Sequence, residues 1–237
     1  MRVSLLKPLV LSLMAFLTSS EALSQVDDGE LGGWYMYFWD APFVENSRWG
    51  MQGDLQWRNW SAAPGSDLEQ LLIRGGITYS PKNGGVKFTL GYASITTGEF
   101  GDSDETFHEN RIYQEALIPQ KILGWVYLAH RFRYEQRFVD NQDTRTRYRY
   151  NLFVNIPLNK AQIVKGTWYL AFYNELFING QRDIGNLKEV ELFDRNRVYG
   201  ALGYQFANTM KVQSGLMRQS TDNWAKYQLQ LSLHHSF

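Results

Sequence analysis

From Thr144 to Ile156 the residues sort into two chemically distinct sets by position. Thr144, Thr146, Tyr148, Tyr150, Leu152, Val154 and Ile156 occupy the even positions, and Arg145, Arg147, Arg149, Asn151 and Asn155 the odd ones. Successive side chains of an extended chain point to opposite faces, so this stretch is a strand with one face toward an apolar medium and the other toward water or polar partners. The same alternation sets Val126, Leu128, Phe132 and Tyr134 against Arg131, Arg133, Glu135 and Arg137, and Val198, Leu202, Tyr204 and Phe206 against Arg195, Arg197 and Gln205. Further copies run through Met51 to Trp57, Leu71 to Tyr79, Val86 to Tyr92, Trp168 to Ile178 and Tyr227 to Phe237.

Eleven such segments can be marked, near 33–39, 48–60, 68–79, 85–95, 109–119, 123–138, 144–157, 166–178, 193–206, 209–219 and 224–237. Pro42, Pro64, Pro81, Pro119 and Pro157 fall at strand ends or in connections, where a missing N–H harms no ladder. Connections at 81–85 and 207–209 read as short, and 96–108 and 179–192 as long and polar, the layout of an outer-membrane barrel. Aromatic residues make up 15% of the chain while mean hydropathy is −0.39, which fits strands with one greasy and one polar face. A soluble sandwich or a lipocalin-like barrel also alternates. The strand lengths, near the ~9–11 tilted residues that span hydrocarbon plus a margin, favour the membrane. So do Trp34, Trp49, Trp60, Trp125, Trp168 and Trp224 near strand ends, where interfacial girdles lie.

The two ends of the chain carry their own signals. Arg2 and Lys7, an apolar run from Leu9 to Leu17 and the small-residue site Ala22-Leu23-Ser24 read as a secretory leader cleaved after Ser24, leaving a single barrel domain over 25–237. Without the leader the 24 basic and 24 acidic residues become 22 and 23, so no net field favours nucleic acid. At the other end Tyr227, Leu229, Leu231, Leu233, His235 and the terminal Phe237 share one face. That arrangement resembles the C-terminal strand that the barrel assembly machinery reads in bacterial outer-membrane proteins, with His235 departing from the usual apolar residue.

A family resemblance follows from His130-Arg131-Phe132-Arg133-Tyr134-Glu135-Gln136-Arg137-Phe138, Arg145-Thr146-Arg147-Tyr148-Arg149-Tyr150, Tyr173-Asn174-Glu175-Leu176-Phe177 and Phe193-Asp194-Arg195-Asn196-Arg197. Together these resemble the bacterial family catalogued as domain of unknown function 2490, from about Gly33 to the end. The resemblance implies an outer-membrane location in contact with lipid and lipopolysaccharide, and no established activity. In style, though not in motif, the paired arginine strands are also similar to the small twelve-stranded oligogalacturonate and sialic-acid porins. A single-chain barrel with both ends periplasmic needs an even strand number. The expectation is therefore an all-β, transmembrane, antiparallel up-and-down barrel of twelve strands with one hidden near 40–47, or of ten if 34–39 is a cap.

With apolar faces outward, Arg58, Arg74, Lys87, Arg111, Arg131, Arg133, Arg137, Arg145, Arg147, Arg149, Arg195, Arg197 and Lys211 turn inward against Asp54, Glu115, Glu135 and Glu175. Tyr169, Tyr173, Phe177 and Tyr199 share that face. Arginine stays charged in confined space and its planar fork grips carboxylate or phosphate oxygens, which points to a monomeric channel or binding barrel for small anionic solutes. The competing outcome is a closed barrel whose arginines pair with those carboxylates across neighbouring strands. Catalysis has thin support. His130 lies on the lipid-side face without an assignable Ser or Asn, so an interfacial hydrolase is a distant alternative. His108 sits in an acidic loop with Glu99, Asp102, Asp104 and Glu105 that lacks EF-hand spacing. No cofactor or metal is expected, and the absence of cysteine removes thiolate zinc sites and cysteine nucleophiles.

Overall fold

The computed structural model describes residues 31–65, 67–82, 85–100 and 105–237. The expected leader and loop residues Asp102 and Asp104 lie outside them. Each marked segment is a strand: β1 Gly32–Pro42, β2 Trp49–Asn59, β3 Leu68–Tyr79, β4 Lys87–Gly98, β5 Thr106–Ile122, β6 Val126–Val139, β7 Arg145–Pro157, β8 Thr167–Asn179, β9 Phe193–Gln205, β10 Met210–Ser220 and β11 Ala225–Ser236. They form one closed sheet in chain order, β1 lying between β2 and β11.

The strand number is therefore eleven, neither twelve nor ten. Residues 34–39 belong to a full strand, and the segment 43–48 connects β1 to β2. The even-number argument fails because it assumed that both chain ends emerge on one side. Ten reversals of direction leave the first and last strands pointing the same way, so the sheet closes by parallel pairing of β1 with β11, from Gly32↔Gln228 to Asp40↔Ser236. Chain entry at Leu31 and exit at Phe237 accordingly stand at opposite ends of the barrel. Following the registers once around accumulates a stagger of about 14 residues, which for this strand number sets a tilt of roughly 45° and a backbone radius of about 11 Å.

Two further expectations change. Strand β5 runs on through Pro119, which pairs with Ala129, so one proline does lie inside a ladder near its end. The connection before β5 shrinks to 99–105 because β4 and β5 both extend, and only 180–192 stands out in length. Connections 43–48, 80–86, 123–125, 158–166 and 206–209 share the end that carries Phe237, so the contrast between the two ends is weak.

Burial is inverted relative to an ordinary domain. Trp57, Ile77 and Leu90 are 49%, 54% and 61% exposed on the outer face, while Glu135, Gln230 and Asn151 are at most 2% exposed inside. Two interior tyrosines pack where glycine leaves room: Tyr113 over Gly91 and Tyr169 over Gly203, each directly opposite in register. A Cβ at Gly91 would run into the Tyr113 ring, whereas one at Gly75 meets nothing within 4 Å. Gly91→Ala is expected to destabilise the barrel by about 1–3 kcal/mol and Gly75→Ala to leave it nearly unchanged, measured by urea unfolding of the folded protein.

Candidate solute site inside the barrel

The inner face encloses a cavity of about 450 Å³. Every cation expected to point inward lines it except Arg145, which is half-buried beyond its edge. Tyr173, Phe177 and Tyr199 line it too, and Tyr169 is buried beside them in a cluster with Trp34, Ala171, Ala201 and Met217.

The four expected carboxylates each meet the arginine directly opposite them on a neighbouring strand: Asp54↔Arg74, Glu115↔Arg133, Glu135↔Arg147 and Glu175↔Arg197. Arg74 Nη2 lies 2.6 Å from Asp54 Oδ1. Arg133 donates to Glu115 through Nε and Nη2. Glu135 accepts from Arg147 Nε at 2.9 Å and Nη2 at 2.7 Å and from Arg149 Nη1 at 2.6 Å. Glu175 accepts from Arg131 Nη2 at 2.7 Å and Arg149 Nη2 at 2.5 Å, while Arg197 Nη1 stands 3.9 Å away. The wall formed by β5 to β8 is thus cross-linked by charge, and this part of the interior matches the paired-arginine alternative.

Four carboxylates escaped the sequence reading, one of them Asp40, which lines the cavity 2.5 Å from Lys87 Nζ. Glu109, at the first position of the marked segment and on the same face as Arg111, accepts from Arg111 and Arg137. Asp194 accepts from Arg147 Nη1 at 2.7 Å and Arg195 Nε at 3.1 Å. Glu69 accepts the Trp34 indole N–H at 2.9 Å. Asp194 and Glu69 are the residues skipped where the β8–β9 and β2–β3 registers shift. A bulge breaks the alternation and re-aims a side chain, so parity alone does not reveal either as inward.

Three buried aromatic rings hold the guanidiniums in place. Arg74 and Arg133 lie 5.9 and 4.6 Å from the Tyr113 ring, Arg149 and Arg197 lie 4.4 and 4.7 Å from Phe177, and Arg58 and Arg197 lie 3.9 and 4.8 Å from Trp34. Stacking offsets part of the desolvation of a buried cation without consuming its edge donors. Trp34, expected in an interfacial girdle, instead points inward at 2% exposure, whereas Trp49 and Trp168 are outward and exposed.

The remaining expected positions fall outside the cavity or at its edge. His130, on the outer face, contacts Tyr150 Oη at 2.9 Å and Gln120 Oε1 at 3.3 Å. His108 contacts Thr96 Oγ1 at 3.1 Å. His234 stacks on Phe38, and His235 contacts Tyr37 Oη at 3.1 Å. No group of three or more His, Asp or Glu suited to a metal ion occurs among the described residues. Tyr227, Leu229, Leu231 and Leu233 share the outer face of β11, and the Phe237 N–H donates to Asp40 O at 2.9 Å.

Among known proteins, the family described as protein of unknown function (DUF2490) matches residues 31–230. No curated protein and no solved structure matches the chain.

Glu135 is 1% exposed and serves two arginines at hydrogen-bond distance, so its charge cannot be removed without stranding both. Glu135→Gln is expected to cost about 3–5 kcal/mol of unfolding free energy in urea. Glu189→Gln, on the exposed Arg182 pair at 3.4 Å, is expected to cost less than about 1 kcal/mol.

Proposed function

The chain belongs to the DUF2490 family, and for this member we propose an outer-membrane β-barrel that admits small anionic solutes into a cationic interior. The observation that carries the reading is the inversion of burial. Leu55, Ile73, Ile77, Leu90, Phe132, Leu202 and Leu216 stand exposed around the outside, while arginine, glutamate and glutamine fill the inside. Full transfer of each such side chain out of water is worth about 1.5–3 kcal/mol, so a belt of this kind is favourable against hydrocarbon and unfavourable in water. A closed sheet also satisfies its backbone groups internally, as a lipid-exposed barrel must.

The rest of the reading follows from that location. A leader is removed after Ser24, the assembly machinery reads Tyr227, Leu229, Leu231, Leu233 and Phe237, and the monomeric barrel contacts lipid and lipopolysaccharide. No nucleic acid, cofactor or catalytic step enters it. Inside, cations outnumber carboxylates: Arg58, Arg145 and Lys211 have no carboxylate oxygen within 4 Å among the described residues. A confined cationic excess attracts anions and repels cations.

The cross-linked wall of β5 to β8 favours a second reading, a closed barrel that binds without conducting. An eleven-strand barrel lies between eight-strand barrels filled by side chains and the wide porins. Planar-bilayer recording separates the two. Purified protein is expected to give anion-selective currents, and Lys211→Gln and Arg58→Gln are expected to lower the anion-over-cation permeability ratio about two- to fivefold, because neither substitution strands a carboxylate. Bilayers that stay silent over long recordings would reject conduction.

A further inference from the structure

We infer that Arg58, Trp34, Arg197 and Tyr199 form a discrete binding site for a small hydroxylated oxyanion, a carboxylate or a phosphate monoester. The inference deepens the proposed solute reading and rests on it for access to the interior.

Arg58 and Arg197 differ from the other buried arginines among the described residues, all of which hydrogen-bond a carboxylate. Arg58 donates Nε and Nη2 to Gln56 Oε1 at 3.1 and 2.6 Å and Nη1 to Gln70 Oε1 at 2.6 Å, so its partners are neutral amides. Arg197 donates Nε to Gln219 Oε1 at 2.7 Å, and its nearest carboxylate oxygen, on Glu175, is 3.9 Å from Nη1. Both guanidiniums stack on one indole, that of Trp34, which lies directly opposite Arg58 across the β1–β2 ladder. The indole is itself fixed by its N–H to Glu69, a carboxylate that also accepts from Gln228. Two positive groups are thus held rigidly at one wall of the cavity with no carboxylate at hydrogen-bond distance: Glu69 is engaged by the indole and Gln228, and Glu175, 3.9 Å from Arg197, by Arg131 and Arg149. A planar oxyanion is the ligand chemistry that such forks recognise.

Tyr199 adds a second requirement. Its ring stacks on Tyr173, directly opposite, at 4.7 Å, and its buried hydroxyl has no hydrogen-bond partner among the described residues. Buried polar groups are nearly always partnered, so an unpartnered hydroxyl on a cavity-lining residue, two positions along β9 from Arg197 and on the same face, fits a ligand that carries a hydroxyl as well as a charge. Arg58, Trp34, Arg197 and Tyr199 all line the same cavity, whose volume of about 450 Å³ suits a small solute.

Isothermal titration of detergent-folded protein with glycerate, glycerol 3-phosphate, acetate and glycerol tests the site. Saturable binding is expected for glycerate or glycerol 3-phosphate, the tighter of the two identifying carboxylate or phosphate as the preferred group. Acetate is expected to bind about fivefold or more weaker, and glycerol not at all. Arg197→Gln is expected to weaken the oxyanions about tenfold or more. Tyr199→Phe, which deletes one unpartnered oxygen and leaves the ring, is expected to abolish the advantage of glycerate over acetate. Arg218→Gln, exposed on the outer face, serves as the unchanged control. The inference is overturned if no oxyanion binds, if glycerol binds as well as glycerate, or if Tyr199→Phe preserves the hydroxyl preference. Anion-selective currents without binding would remove this site and leave conduction standing; binding with silent bilayers would do the opposite.

Discussion

The parallel ladder between β1 and β11 is the constraint on which the rest of the molecule depends. Left open, an eleven-stranded sheet would present two rows of unpaired N–H and C=O groups. Hairpin connections reverse the chain at every step, so an odd total can close only through strands that run the same way. The residues from Gly32 to Asp40 do this against Gln228 to Ser236 while also pairing antiparallel with β2. Closure creates an inside, and removing polar side chains from bulk water is what drives most of the inward ones to find a partner.

Those partners are found mostly by register. Burying a guanidinium costs several kcal/mol unless a carboxylate and further hydrogen bonds compensate. Setting Asp54 against Arg74, Glu115 against Arg133 and Glu135 against Arg147 meets that cost across one inter-strand step, without long side-chain excursions. Aromatic rings on the same face, Tyr113 and Phe177, then hold the planar groups flat. The outcome is a polar interior with a packed, cross-linked wall, and a cavity where the pairing is incomplete.

Period-two alternation made the strands legible, because it is a local property: the marked segments near 68–79 and 144–157 coincide with β3 and β7 almost to the residue. Arg133, Arg149 and Tyr199, which it put on the polar face of their strands, line the cavity. What it could not supply was non-local. The strand count was misjudged because a rule about where the ends emerge overrode a correct tally of segments. Glu69 and Asp194 were lost to bulges, where one extra residue reverses parity and no residue type announces it. Trp34 looked like an interfacial ring because tryptophan near a strand end usually is one. Its inward direction follows from β1 pairing on both sides, which fixes the pleat of a segment too short to show its own period.

The two walls of the cavity consequently differ in electrostatic character. Strands β5 to β8 carry arginines whose charge is spent on neighbouring glutamates, so they contribute stiffness more than field. Strands β2 and β9 carry Arg58 and Arg197, stacked on Trp34 of β1 and bonded to amides, with the nearest carboxylate oxygen of Arg197 3.9 Å away, so less of their charge is compensated. On the proposed reading, an anion entering the barrel is drawn toward the wall that holds the parallel ladder and away from the ion-paired one. The glutamates that hold one wall together are therefore also what localises the attraction to the other, and the bulge that turns Glu69 inward couples the two: its carboxylate fixes the indole on which both unspent guanidiniums rest.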